Sequence, residues 1–198
     1  VNPQVALQRI ETINRITADY LIMAGDIYEM KNADRFLPLI KPNVKKVIVV
    51  KGNHEFYHTH LGYEIDYPDN FVCLEVRRPF VVDDVAFVGD TLWSFVPIGQ
   101  MTSIEYFMND YALIADKHGD EITCTDTNEL FEHQRKWLFD DVCDYVHQKK
   151  VVVVTHHSPS FKGVSQKFSG HYANCAFHSN AIDQYTNITP TAWIHGHT

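Results

Sequence analysis

The sequence predicts an α/β domain of two sheets flanked by helices, and three observations carry that reading. Short valine-rich runs at Lys46–Val50 and Val151–Thr155 suit strands buried on both faces, as in parallel sheets. The N-terminal third alternates strand, helix and strand, an order that makes parallel strands joined by a right-handed crossover. The middle of the chain carries short β-rich segments around Asp83-Asp84, a two-residue hairpin turn. Sheets and helices of this kind bury their apolar faces by stacking in layers.

Each element has its own warrant. Asn2-Pro3 offers an N-cap and a first-turn proline, with Ala6, Ile10 and Ile13 following at helical spacing. Ala18–Met23 is a strand leading into Gly25-Asp26, residues 33–40 form a short helix before Pro42, and Lys46–Val50 leads into Gly52. Phe71–Val76, Phe80–Val82 and Val85–Val88 are short strands, the last continued by Gly89-Asp90-Thr91-Leu92-Trp93. A helix is expected over roughly Ile104–Ala115. A stronger one opens at Asp126, with Glu129 as its capping-box partner, and sets Leu130, Trp137, Leu138, Val142 and Tyr145 on one face. Val151–Thr155 and Thr191–Ile194 complete the strands. No repeat or low-complexity linker divides the chain, so residues 1–198 read as one domain.

Composition narrows the function. A chain of 198 residues buries a large core without staples. Its net charge is −8 with the basic residues scattered, so it lacks the footprint of a protein that tracks duplex nucleic acid. Cys73, Cys124, Cys143 and Cys175 form no CxxC pair, which points to reduced thiols and a cytoplasmic setting. The apolar runs are too short to span a bilayer, and no membrane partner is expected.

The chemistry sits at strand ends. Ala24-Gly25-Asp26, Gly52-Asn53-His54-Glu55, His156-His157-Ser158-Pro159 and His195-Gly196-His197 each follow a strand-like run. Taken singly, Gly-Asp is more often a turn, and a histidine pair more often a satisfied loop. Together they offer Asp, Asn and His side chains, oxygen and nitrogen ligands for a divalent metal, at the strand ends where α/β sheets form ligand sites.

These words resemble the calcineurin-like metallophosphoesterases, whose pattern runs Asp-x-His, Gly-Asp, Gly-Asn-His-Asp/Glu, a mid-chain His and Gly-His-x-His. The resemblance extends from Gly25-Asp26 to Gly196-His197, and Gly52-Asn53-His54-Glu55-Phe56-Tyr57-His58 with Gly89-Asp90-Thr91-Leu92-Trp93 look like a bacterial and phage-type branch. It implies a sandwich of two mixed β-sheets flanked by helices. It also implies a two-metal centre that hydrolyses a phosphate mono- or diester, in which Asp26 bridges the ions and Asp26, Asn53, His156 and His197 hold one of them. His156 is preferred to His157 because the first residue after the strand usually fills the role. His54 is expected to face the leaving group as general acid or as a charge-stabilising donor, with Asp26 the other catalytic residue, while Glu55 orients the loop. His58 and His157 are candidate substrate-facing residues. Manganese is the first expectation, with iron, zinc or nickel as the others, since mixed nitrogen and oxygen ligands do not discriminate. The expected partner is a phosphorylated small molecule or nucleotide.

Two departures stand out. Asp116-Lys117-His118 has the opening pattern in the wrong place and reads as a decoy. The chain also starts at or inside the first helix and stops at Thr198, so it looks clipped at both ends of the family pattern. Two other functions remain open on the same fold: a non-catalytic scaffold, as in the family's retromer subunit, and a nuclease. Residues 99–108 and 161–178 are the expected substrate-facing insertions. Tyr57, Trp93 and Phe95 are expected in the core, His133 and His147 on an exposed helix side, and His171 and His178 in a polar loop.

Overall fold

In the structure, a computed structural model that describes residues 3–29, 32–75 and 77–197, helix α1 (Pro3–Asn14) buries Ile10 with Ala6 and Ile13 beside it, the stripe its spacing predicts. The Asn2 cap lies outside the described residues. Strands β1 (Tyr20–Ala24) and β2 (Lys46–Val50) pair in parallel, with Tyr20 opposite Lys46 and Ala24 opposite Val50. The connection between them carries α2 (Ala33–Phe36) and a 3-10 turn, Leu37–Leu39. A two-residue strand β3 (Thr59–His60) follows, and β4 (Phe71–Cys73) then adds to β2. The first sheet is therefore β1-β2-β4, parallel throughout its described strands.

The second sheet is mixed. β5 (Phe80–Val82) and β6 (Val85–Asp90) form the expected hairpin, with Val82 opposite Val85 across Asp83-Asp84. Asp83 takes the positive φ, 49°, that a tight hairpin turn demands. β8 (Lys150–Thr155) joins β6 in parallel and β9 (Ala192–His195) joins β8, giving the order β5-β6-β8-β9.

The valine runs divide their side chains between two layers. Val47 and Val49 face the α1–α2 layer, whereas Ile48 and Val50 face the other sheet. Val151 and Val153 meet the long helix α5 (Cys124–Tyr145), and Val152 and Val154 point between the sheets. Successive side chains alternate sides and both sides are dry, hence the unbroken apolar sequence.

Three expectations are corrected. The helix expected over 104–115 is α3 (Met101–Phe107), a break at Met108, then α4 (Asp110–Leu113), with Ile114–Ala115 leaving as β7 to pair with β3. Tertiary pairing overrides local helix preference there. Helix α5 starts three residues early: Thr123 is its N-cap, and Asp126 supplies the reciprocal bond of the capping box, not Glu129. Finally, Phe95 is 44 % exposed and so lies outside the core.

Candidate active site

Both sheets contribute to one site. Gly25-Asp26 leaves the end of β1, Lys51-Gly52-Asn53 the end of β2, His156-His157 the end of β8, and Gly196-His197 the end of β9. The loops are laced together within and between the sheets: the Gly196 amide donates to the His156 carbonyl at 3.0 Å inside the second sheet, and the Thr91 hydroxyl to the Lys51 carbonyl at 2.8 Å across the sandwich.

Glycine is required where the loops cross. Gly25 has φ of 84°, and a methyl group there would run into the His156 ring and the Gly52 backbone. A methyl on Gly52 would collide with the Asp26 carboxylate and amide. The Gly-Asp and Gly-Asn words are therefore the two halves of one close approach. Asp26 and His197 themselves sit in the left-handed region, with φ of 56° and 53°. Non-glycine residues stay there only when their surroundings hold them, and such strain gathers at functional sites.

The side chains converge on His156. Its Nδ1 lies 2.7 Å from the Ala24 carbonyl, which only accepts, so Nδ1 carries the hydrogen and Nε2 is left for the site. Nε2 is 3.0 Å from Asn53 Oδ1, 2.8 Å from His197 Nδ1 and 3.3 Å from Asp26 Oδ1. Asp26, His156 and His197 each offer a ligand atom within 4.8 Å of the others. The Asn53 amide is oriented by Nδ2, which donates to Asp110 Oδ1 at 2.7 Å, leaving Oδ1 to the site.

Electrostatics favour positive charge here. Burial raises the Asp26 carboxyl, but His156 and His54 outweigh it and bring its pKa below the usual value, so it stays ionised. Burial disfavours a charged His156, yet the hydrogen bond and charge of Asp26 push its pKa up. Burial and the neighbouring His156 hold His197 down to about 3, which keeps it neutral with a lone pair to offer. Its Nε2 is buried without a hydrogen-bond partner among the described residues. A carboxylate, an amide oxygen and two imidazoles facing one point fit a divalent cation, and these are the residues that could hold one.

A second layer holds the first. Glu55 is fully buried, and its carboxylate accepts from the backbone amides of Asp26 (2.8 Å), Ile27 (2.7 Å), Tyr28 (3.1 Å) and Gly52 (2.6 Å). It orients the loop, as the sequence reading had it. Asp110 is also buried and accepts at Oδ1 from Asn53 and, at 2.8 Å, from the Tyr57 hydroxyl. Sequence reasoning missed Asp110, which shares its stretch with Glu105 and Asn109 and has no local pattern to set it apart.

The remaining candidates are placed as follows. The His54 ring is partly exposed, stacks on Tyr57 with centroids 4.4 Å apart, and has Nε2 4.0 Å from Asp26 Oδ2. His157 is buried, with its ring 4.2 Å from His197 and 5.3 Å from Trp93, so it backs the site and faces no substrate. His58 is exposed in a groove with His60, Asp116 and His118, away from the converging ligands. The Asp116 carboxylate accepts from the amides of His118 and Asp120, closing its own turn. His178, expected in a polar loop, is buried beside Ser160.

The chain is 28 % identical over 207 residues to "Uncharacterized protein L509" of Acanthamoeba polyphaga mimivirus, a match spanning 90 % of this chain and 71 % of the viral one. Its fold is similar to the crystal structure of phosphopantetheinyl hydrolase (PptH) from Mycobacterium tuberculosis, with a TM-score of 0.68 at 18 % identity, covering 94 % of this chain and 76 % of the other. The family model described as calcineurin-like phosphoesterase matches residues 4–198, and the chain belongs to that family.

Proposed function

We propose that this protein is a metal-dependent phosphoesterase that cleaves a phosphate mono- or diester at the ends of β1, β2, β8 and β9. The observation that supports this most directly is the set of lone pairs from Asp26, Asn53 and His197 around His156 Nε2, within 3.3 Å. These residues would hold one divalent ion. The Asp26 carboxylate has a second oxygen, Oδ2, turned toward His54, and would bridge to another ion. When bound, such ions polarise phosphoryl oxygens and lower the pKa of a coordinated water.

The chain's own residues do the rest. Asn53, fixed by Asp110, keeps an oxygen aimed at the site; His197, held neutral, keeps a nitrogen there. His54 lies at the open edge of the site and would give its proton to the leaving oxygen, with Tyr57 behind it fixing the ring plane. Manganese is the first choice of metal, and a phosphorylated small molecule or nucleotide the substrate. No described helix is long and apolar enough to cross a membrane.

The test combines binding with turnover. Calorimetric titration of the purified chain with Mn²⁺, and hydrolysis of a generic phosphodiester and monoester, should both be lost in His156→Ala. His54→Ala should keep its metal while turnover falls about 100-fold or more. Tight metal binding with no turnover of either ester would point to the scaffold reading, and loss of metal in His54→Ala would make His54 a ligand.

A further inference from the structure

One carboxylate oxygen serves two neighbours of the site. Asp110 is buried at the start of α4, and its Oδ1 accepts from Asn53 Nδ2 at 2.7 Å and from the Tyr57 hydroxyl at 2.8 Å. Asn53 and Tyr57 flank the 3-10 turn His54–Phe56, so a single acceptor clasps both ends of that turn. Asn53 Nδ2 also lies 3.5 Å from the Tyr57 hydroxyl oxygen.

His54 opens the turn between those anchors. Its amide donates to Asp26 Oδ1 at 3.1 Å, which fixes the backbone but not the ring. Its Nε2 is 4.0 Å from Asp26 Oδ2, beyond hydrogen-bond reach, and among the described residues no hydrogen bond holds the ring. The second side-chain torsion of a histidine is broad, so a partly exposed imidazole without a partner swings. Here the Tyr57 ring lies against it, with centroids 4.4 Å apart and planes at 23°. Tyr57 is itself buried, in the cluster that holds Phe56, Trp93 and Tyr111.

We infer that Tyr57 is a positioning residue for His54, and that its hydroxyl bond to Asp110 ties the aim of the proton donor to the same carboxylate that aims the metal ligand Asn53. This rests on the phosphoesterase reading above, in which His54 protonates the leaving oxygen. The two parts of the tyrosine have separate tasks. Its ring gives His54 a face to lie on, and its hydroxyl keeps that face from tilting. Without the hydroxyl, Asp110 still accepts from Asn53, so the ligand oxygen stays turned to the site while the imidazole loses its aim. A catalytic group displaced by about 1 Å can cost about 100-fold in rate, so a small tilt is enough to be measured.

The experiment uses Tyr57→Phe, which removes only the hydroxyl, Tyr57→Leu, which removes the ring as well, and the double variant of Tyr57→Phe with His54→Ala. Turnover with Mn²⁺ is measured on a phenyl phosphoester and on its p-nitrophenyl counterpart, whose leaving group departs as a stable anion and needs the proton less. Tyr57→Phe should lower kcat on the phenyl ester about tenfold and on the p-nitrophenyl ester much less, with KM and the calorimetric Mn²⁺ affinity each within about threefold of wild type. Added to His54→Ala, it should cost nothing more, since it acts through that ring. Asp110→Asn, which keeps an oxygen for the hydroxyl to donate to, should retain more turnover than Asp110→Ala. In the metal-free protein, the ring current of Tyr57 should move the His54 ring protons upfield in the NMR spectrum. That shift should shrink in Tyr57→Phe and vanish in Tyr57→Leu, and circular dichroism checks that each variant folds. Wild-type kcat in Tyr57→Phe, loss of metal in that variant, or a further loss of turnover in the double variant overturns the inference and leaves the phosphoesterase reading standing. Ring shifts that follow the expected order in a wild type that hydrolyses neither ester support the placement of His54 by Tyr57 and count against the phosphoesterase reading.

Discussion

Glu55 shows how one side chain can set a site without touching a ligand. A single buried carboxylate gathers amides from the β1 loop and the β2 loop, and so fixes Asp26 against Asn53. Leaving a buried amide unpaired costs roughly 1–3 kcal/mol, and these amides share one acceptor. Glu55→Ala should therefore destabilise the fold by at least about 3 kcal/mol in urea unfolding. Hydrogen exchange at Ile27, Tyr28 and Gly52 should accelerate. Glu55→Gln, which keeps one carbonyl oxygen, should lose less. If Glu55→Ala unfolded at the same urea concentration as the wild type, these bonds would carry little of the loop's order. Asp26, Asn53, His156 and His197 were legible because each stands within three residues of a strand end and carries a ligand atom. His157 was not, since a dipeptide of histidines does not say which ring turns inward; the structure buries it against Trp93.

At the scale of elements, the break between α3 and α4 matters most. A continuous helix over 104–115 would not give Asp110 its position at the start of α4, where it binds Asn53 and Tyr57. That partner lies 57 residues away in sequence, so no local pattern could signal it. Partners that orient a metal ligand typically contribute 10- to 100-fold in affinity. Asp110→Ala should weaken Mn²⁺ binding by about that factor, measured by titration, with a smaller effect on unfolding. An unchanged affinity would mean that Asn53 is held by other contacts. The strands were easier to read than the helices: a run such as Val151–Val154 has no solvent-facing alternative, whereas helix ends depend on caps, and Thr123 competes with Asp126 for the same role. Gly89 tests the sandwich itself. It lies in β6, and a methyl there would press on the Val154 carbonyl with Leu74 and Val50 at 3.1 Å. Gly89→Ala should cost about 1–3 kcal/mol, the usual range for overpacking a tight core. A neutral result in denaturant unfolding would show that the sheets can part enough to accept it.

At the scale of the molecule, the site lies at the strand ends of both sheets, and its ligands are drawn from both. Asp26 and Asn53 belong to loops of the first sheet, His156 and His197 to loops of the second. The apolar layer of Ile48, Val50, Leu74, Phe87 and Val154 presses the sheets together, while the converging polar groups at their ends favour positive charge between them. A cation bound there would tie the sheets at the end where the hydrophobic layer stops, and binding free energy would then appear as folding free energy. At a concentration 100 times its dissociation constant, a ligand that binds only the folded state adds about 2.7 kcal/mol, and for a domain of this size that is a rise of roughly 5–10 °C in Tm. Calorimetry with Mn²⁺ should show such a rise over a chelator-treated sample. In His156→Ala, whose loss removes the atom on which the others converge, the two curves should superimpose. A metal-dependent rise that persisted in that variant would place the stabilising ion elsewhere and undo the assignment of the site.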